Sequence, residues 1–253
     1  MLLDTWNGEH MTNYEILLRI NDKSREHITK LYNSGKLDLI NECISYTEDL
    51  NIWISRCGNF SKYLLVKEAQ DECIKSIIMC SHGFYKEAII TLRQFLEHML
   101  FAILLSTNDY KYRLWKIGQC DMSWTQIVDG QNGVFGKEYI RVYAKDINDE
   151  RSIELLTIAK NVYRECSEFV HGNYEKLNLL TENMHYDEKI LNLYSEYFSN
   201  IKYLVSMALL IRFREILNDK ENLSFLESII MDNLGMLPET QLLYGAEKET
   251  VYE

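Results

Sequence analysis

Helix breakers are almost missing from this chain. Its 253 residues include one proline, Pro238, and 11 glycines. Proline removes a backbone donor and clashes with the preceding helical turn, so it normally punctuates loops and helix ends. A chain this poor in both residues is pushed towards long, uninterrupted helices. The apolar spacing agrees. The segments 13–33, 36–54, 60–81 and 84–106 repeat apolar residues at intervals nearer 3.6 than 2, and a glycine follows each: Gly35, Gly58, Gly83 and, more distantly, Gly118. The segment 84–106, "FYKEAIITLRQFLEHMLFAILLS", is the most apolar and is expected to be the central helix. The predicted fold class is all-α.

Between 107 and 148 the pattern breaks. This stretch is rich in aromatic residues and contains both Asp129-Gly130 and Asn132-Gly133, which are turn signals. Short helices with a tight turn are expected here, with a small hairpin near 127–141, as an insertion on the helical core. Helix resumes over 149–172, whose acidic start suits the helix dipole. A connector at 173–186 follows, then the longest helix at 187–219 and one more at 222–234. The end, "PETQLLYGAEKETVYE", reads as polar and mobile. The organisation predicted is N-terminal helices (1–59) packing on the core, a helical bundle (60–219) with the 107–148 insertion, and a C-terminal helix with an acidic tail (220–253).

The net charge of −11 argues against broad coating of nucleic acid, because the chain repels phosphate at long range. A local basic site is compatible with it: residues 61–118 carry eight Lys and Arg against six acids. The cysteines at 43, 57, 73, 80, 120 and 166 form no C-x-x-C and no regular framework, a pattern of reduced thiols. The opening "MLLDTWNGEHM" lacks the basic and apolar regions of a signal peptide, and the apolar runs 95–106 and 203–211 are too short or interrupted to span a bilayer. The expectation is a cytoplasmic protein with no membrane partner.

The stretch most informative about function is "NVYRECSEFVHGNY", residues 161–174. Arg164 and His171 lie seven positions apart, and seven residues of helix turn through about 700°, so the two side chains leave the helix along nearly one line. Ser167 and Lys160 fall beside that line. Leu156, Ala159, Tyr163, Cys166 and Val170 form the neighbouring apolar stripe, which puts the pair at the edge of the buried face. Spacing alone is weak. With ten arginines and six histidines, an Arg followed after four to six residues by His is expected roughly 0.7 times by chance. Two are present, the second being Arg93 and His98 in "RQFLEH". A purely structural account is also open: His171 before Gly172 as a helix end that favours a cation, and Arg164 with Glu168 as an i,i+4 ion pair. Arg93 and Glu97 are likewise spaced for an intrahelical pair.

In its surroundings "YRECSEFVHGN" resembles the HEPN superfamily, helical-bundle proteins marked by Arg, four to six residues and His. Here six residues intervene, and a polar residue, Glu165, follows the arginine, where the family more often has Asn, Asp or His. An upstream helix similar to "AIITLRQFLEHML" supplies an Arg and a Glu. The resemblance covers roughly residues 60–215. It implies a HEPN-like bundle in which a late helix carrying the motif borders a dimer cleft, and a metal-independent ribonuclease that needs no cofactor. Arg164 and His171 would be catalytic. Arg93, Glu97, Glu165, Ser167, Tyr163 and Tyr174 would support the pair or position the substrate. RNA, with tRNA as a candidate class, is the implied substrate. The implied setting is toxin–antitoxin or anti-phage defence, with a homodimer and an antitoxin or sensor protein as partners. Two rivals stand beside this: a non-catalytic adaptor of the same fold that binds a nucleotide or a protein, and an antitoxin-like structural subunit. Cys80 and His82 are too isolated to suggest a metal site. No Gly-rich phosphate loop or nucleophile elbow is present.

Overall fold

A computed structural model describes residues 12–180 and 184–245. Thirteen α-helices occur among them, and no strand. They are α1 (Asn13–Asn33), α2 (Leu37–Ser55), α3 (Leu64–Ser81), α4 (Tyr85–Leu105), α5 (Asp109–Lys116), α6 (Trp124–Ile127), α7 (Lys137–Tyr143), α8 (Asp149–Val170), α9 (Tyr174–Leu179), α10 (Glu188–Arg212), α11 (Lys220–Phe225), α12 (Glu227–Leu234) and α13 (Pro238–Gln241). Short 3₁₀ turns at Gly58–Lys62, Arg214–Asn218 and Leu242–Tyr244 join some of them. The chain is all-α, as its periodicity predicts.

The helices begin where the sequence supplies caps. Thr12 and Glu15 form a capping box on α1, Asn148 accepts the Arg151 N–H at the start of α8, and Asp187 accepts the amides of Lys189 and Ile190 at the start of α10. They end at glycines where the chain must turn sharply. Gly83 (φ +82°) joins α3 to α4, and Gly172 (φ +71°) closes α8.

α3 and α4 form a tight antiparallel hairpin at the heart of the bundle. α10 runs parallel to α4: Tyr85 meets Asp187 at one end, and Ser106 meets Arg212 at the other. α8 runs antiparallel to α10, with Arg151 near Tyr203 and Glu165 near Tyr197. α2 packs on α3 and α10, where Tyr46 crosses edge-on to Phe198. α4 is buried on every side over Phe95–Leu96 and Met99–Ile103. It is long and apolar enough to cross a membrane, but here that apolarity fills the core. One cluster of buried side chains runs from Leu31 to Leu234, so all three stretches of chain contribute to it. Inside it, Ser76 donates to the Ala88 carbonyl and meets the buried Tyr194 hydroxyl at 2.9 Å.

The structure corrects several expectations. No hairpin forms near 127–141. Asp129 accepts the amides of Gln131 and Asn132, and the turn feeds Val134 and Phe135 into the core. Residues 137–143 then bury Tyr139 and Ile140 and half-bury Tyr143, a helical rather than an alternating spacing. The helix expected to reach 219 stops at Arg212, and 222–234 divides into α11 and α12. The C-terminal segment expected to be mobile is docked up to Gly245: Glu239 pairs with Arg151 at 2.7 Å and Thr240 is fully buried. Residues 246–253, the end of the acidic tail, lie outside the described residues.

Candidate functional site on helix eight

α8 buries Leu155, Ala159, Val162, Cys166 and Phe169. This stripe is turned slightly from the predicted one: Tyr163 is only half-buried and Val170 is exposed. The rotation moves Arg164 further out than an edge position. Its side chain is 67 % exposed, and its Nη2 lies 3.4 Å from Glu165 Oε1. The i,i+4 pair with Glu168 does not form; Glu168 faces Lys176 instead, at 3.8 Å. His171 occupies the C-cap position, its backbone N–H bonded to the Ser167 carbonyl. Its imidazole is exposed and makes no hydrogen bond or ion pair with any described residue. Tyr174, 82 % exposed, begins α9 just beyond it.

The residues on either side of Arg164 are held firmly. Tyr163 stacks on Trp124 of the insertion, ring centroids 4.0 Å apart and planes within 9°. Its hydroxyl accepts a 2.7 Å hydrogen bond from Arg93 Nη2, and the Arg93 guanidinium carbon lies 4.5 Å from its ring centroid. Arg93 also donates to Glu97 at 3.2 Å. Burial raises the Tyr163 phenol above its ordinary range. Glu165 accepts a 2.6 Å bond from Lys176 Nζ and a 3.4 Å bond from the Tyr197 hydroxyl. The Lys176 hydrogen bond holds its carboxyl below the usual range. Burial opposes the Lys176 charge, but its bonds to Glu165 and Tyr197 outweigh that and raise it. Ser167 donates back to the Tyr163 carbonyl at 2.6 Å, a bond within the helix.

The eight residues singled out from sequence therefore fall into separate groups. Arg164, His171 and Tyr174 face outwards at one end of α8. Arg93, Glu97 and Tyr163 form an inward clamp one residue from Arg164, and Tyr163 is engaged with Trp124 rather than open to stack on a base. Glu165 and Ser167 are tied to the fold. Sequence reasoning missed Lys176, Tyr197 and Trp124, which only tertiary packing brings to α8.

The second Arg–His pair turns inwards. Arg93 goes to Glu97 and Tyr163, while His98 Nδ1 meets the buried Glu72 carboxylate at 2.6 Å. Burial disfavours a charged His98, but the Glu72 hydrogen bond outweighs it and raises the imidazole above its ordinary range. His82 bonds its own helix end, the Ile78 carbonyl, at 2.7 Å. Among the described residues no group of three or more His, Cys, Asp or Glu side chains is arranged to hold a metal ion. No family model matches the chain, and neither a curated protein nor a solved structure matches it.

Proposed function

We propose that the protein is a HEPN-type, metal-independent endoribonuclease in which Arg164 and His171 act on the scissile phosphate. One observation carries the reading. Of the two Arg–His pairs in the chain, one is absorbed by buried partners, while Arg164 and His171 stay exposed along one side of α8. RNA supplies its own nucleophile, the ribose 2′-OH, so the protein needs only proton transfer and charge stabilisation. A solvated imidazole can exchange a proton near neutral pH. A guanidinium is always charged and presents a fork to the phosphorane oxygens. The 2′-oxygen attacks phosphorus, the 5′-oxygen leaves with a proton, and the products are a 2′,3′-cyclic phosphate and a 5′-OH.

Seven residues of helix separate the two Cα atoms by about 10 Å, a wide span for one phosphate in a single protomer. Exposed Val170 and Tyr174 lie beside His171, a surface suited to a second copy of the chain. A homodimer about this face would bring two copies of the pair into one cleft. The toxin–antitoxin or anti-phage setting, with an antitoxin or sensor partner, follows the sequence resemblance. The adaptor reading has one observation in its favour: the Glu165 carboxylate 3.4 Å from Arg164 partly offsets the charge that a phosphate would meet.

The test is cleavage of total tRNA in EDTA by wild type, Arg164→Ala and His171→Ala, with mapping of the fragment ends. The expected result is cleavage by wild type to cyclic phosphate ends and a loss on the order of 10²-fold in each variant. Full activity in His171→Ala would reduce His171 to a helix end. No cleavage by wild type would favour the adaptor.

A further inference from the structure

An acidic ribonuclease still has to hold RNA. α5, far from α8 in sequence, carries the features for this. Its eight residues, "DYKYRLWK", place Lys111, Arg113 and Lys116 against one acid, Asp109, in a chain of net charge −11. Asp109 and Arg113 are paired at 2.7 Å, but both are largely solvated, so the pair is weak and easily exchanged for a phosphate. None of the helix is fully buried. Its outer arc carries Tyr110, 72 % exposed, with Arg113, Lys116 and Ile117.

Aromatic rings line one edge of this arc. Tyr112 stacks on Tyr63 with centroids 4.1 Å apart and planes within 9°, and Trp115 lies 6.1 Å further on at 21°. All three are half-buried, and the Lys116 ammonium sits 5.7 Å from the Tyr112 ring centroid. Along the other edge runs an open groove of about 580 Å³, walled by Thr107, Asn108, Lys111, Thr125 and Gln126. The Asp129 carboxylate in that wall is taken up by the Gln131 and Asn132 amides.

Cations interleaved with flat rings suit a single strand, whose phosphates are charged and whose unpaired bases present π-faces; a duplex hides those faces. We infer that α5 forms a docking strip for single-stranded nucleic acid, with Lys111, Arg113 and Lys116 on phosphates, the exposed Tyr110 against bases, and the Tyr63–Tyr112 stack holding the helix in place. The strip rests on the ribonuclease reading only for its purpose, since binding needs neither Arg164 nor His171.

The test is fluorescence anisotropy with a labelled 2′-O-methyl oligouridylate of about 12 nucleotides. The 2′-O-methyl group blocks the nucleophile, so binding is read apart from cleavage. Lys111→Gln/Arg113→Gln/Lys116→Gln should weaken binding at least tenfold, by an order-of-magnitude estimate, and lower the slope of log affinity against log salt by about 2, since each phosphate contact to a single strand contributes about 0.7. Tyr110→Ala, at an exposed position that leaves folding intact, should weaken binding about fivefold or more without changing the salt slope. Thermal melting checks that the triple variant is folded. No binding by wild type overturns the proposal, as does unchanged affinity in a folded triple variant. A blunt duplex bound as tightly as the single strand also overturns it. Probe binding without any RNA cleavage would support the strip and count against the ribonuclease.

Discussion

Arg93 faces into the bundle and Arg164 out of it, and their truncation should have very unequal costs in stability. The Arg93 side chain is 18 % exposed and its partner Glu97 is 12 % exposed. Arg93→Ala would leave the Glu97 carboxylate nearly buried without a cation and deprive the Tyr163 hydroxyl of a charged donor. Breaking one side of a buried pair costs about 3–5 kcal/mol. Residual solvent at both groups places this case near the lower end, about 3 kcal/mol. At Arg164 the balance differs. The side chain is mostly solvated, and Glu165 keeps its 2.6 Å bond to Lys176 when the arginine is gone. That loss should stay below about 0.5 kcal/mol. Urea unfolding reads both, provided the slope is unchanged so that the midpoint shift reports stability. Adding Glu97→Gln to Arg93→Ala removes the stranded charge and should recover about 1 kcal/mol or more. A cost for Arg93→Ala below about 1 kcal/mol, or an equal cost at Arg164, would refute the division into clamp and outward face.

Gly83→Ala should cost about 2 kcal/mol or more, because φ is +82° and a Cβ would come within 2.7 Å of His27 Cδ2 and 2.9 Å of Met184 Cα. Gly35→Ala, with φ +72° and open space, should lose only about 1 kcal/mol, and equal melting-point losses would remove the packing argument. His27 and His98 should titrate in opposite senses. His27, bonded to the Ser81 carbonyl at 2.8 Å and the Tyr85 hydroxyl at 2.9 Å, is held low by burial. The unfolded chain therefore takes up the proton first, stability falls as pH drops below about 6.5, and His27→Gln should cost less at acid pH than at pH of about 8. His98 is raised, so its pairing with Glu72 stabilises fully below about pH 6.5 and is lost as pH rises through the folded value. His98→Gln should therefore cost more at acid pH, and a cost independent of pH at either residue would contradict its assignment.

What the sequence made legible was local. The bounds of α1 were readable to the residue, and those of α4 to within one, because apolar period and a closing turn act over a few neighbours. The insertion is readable as short helices and turns, but its second half is not: the turn signals point to a hairpin near 127–141, where α7 forms instead. Its Asp-Gly and Asn-Gly pairs signal reversal without saying whether strand or helix follows, and burial of Tyr139 and Ile140 against the core decides that. The docking of residues 238–245 was hidden for the same reason: Glu239 is held by Arg151, 88 positions away, and a polar stretch gives no local sign of such a partner.

The line joining Arg164 to His171 was legible from spacing, whereas the reason it faces outwards was not. On a helix the side chains of Tyr163 and Glu165 leave about 100° to either side of Arg164. Each is anchored to a different part of the bundle: Tyr163 to Trp124 and Arg93, Glu165 to Lys176 and Tyr197. With both flanks held, α8 cannot roll about its axis, so Arg164 projects along the direction between them. The aromatic insertion thus helps set the rotation of α8 through one ring. The same two anchors that keep Arg164 from folding back onto the bundle leave it directed at whatever covers that face.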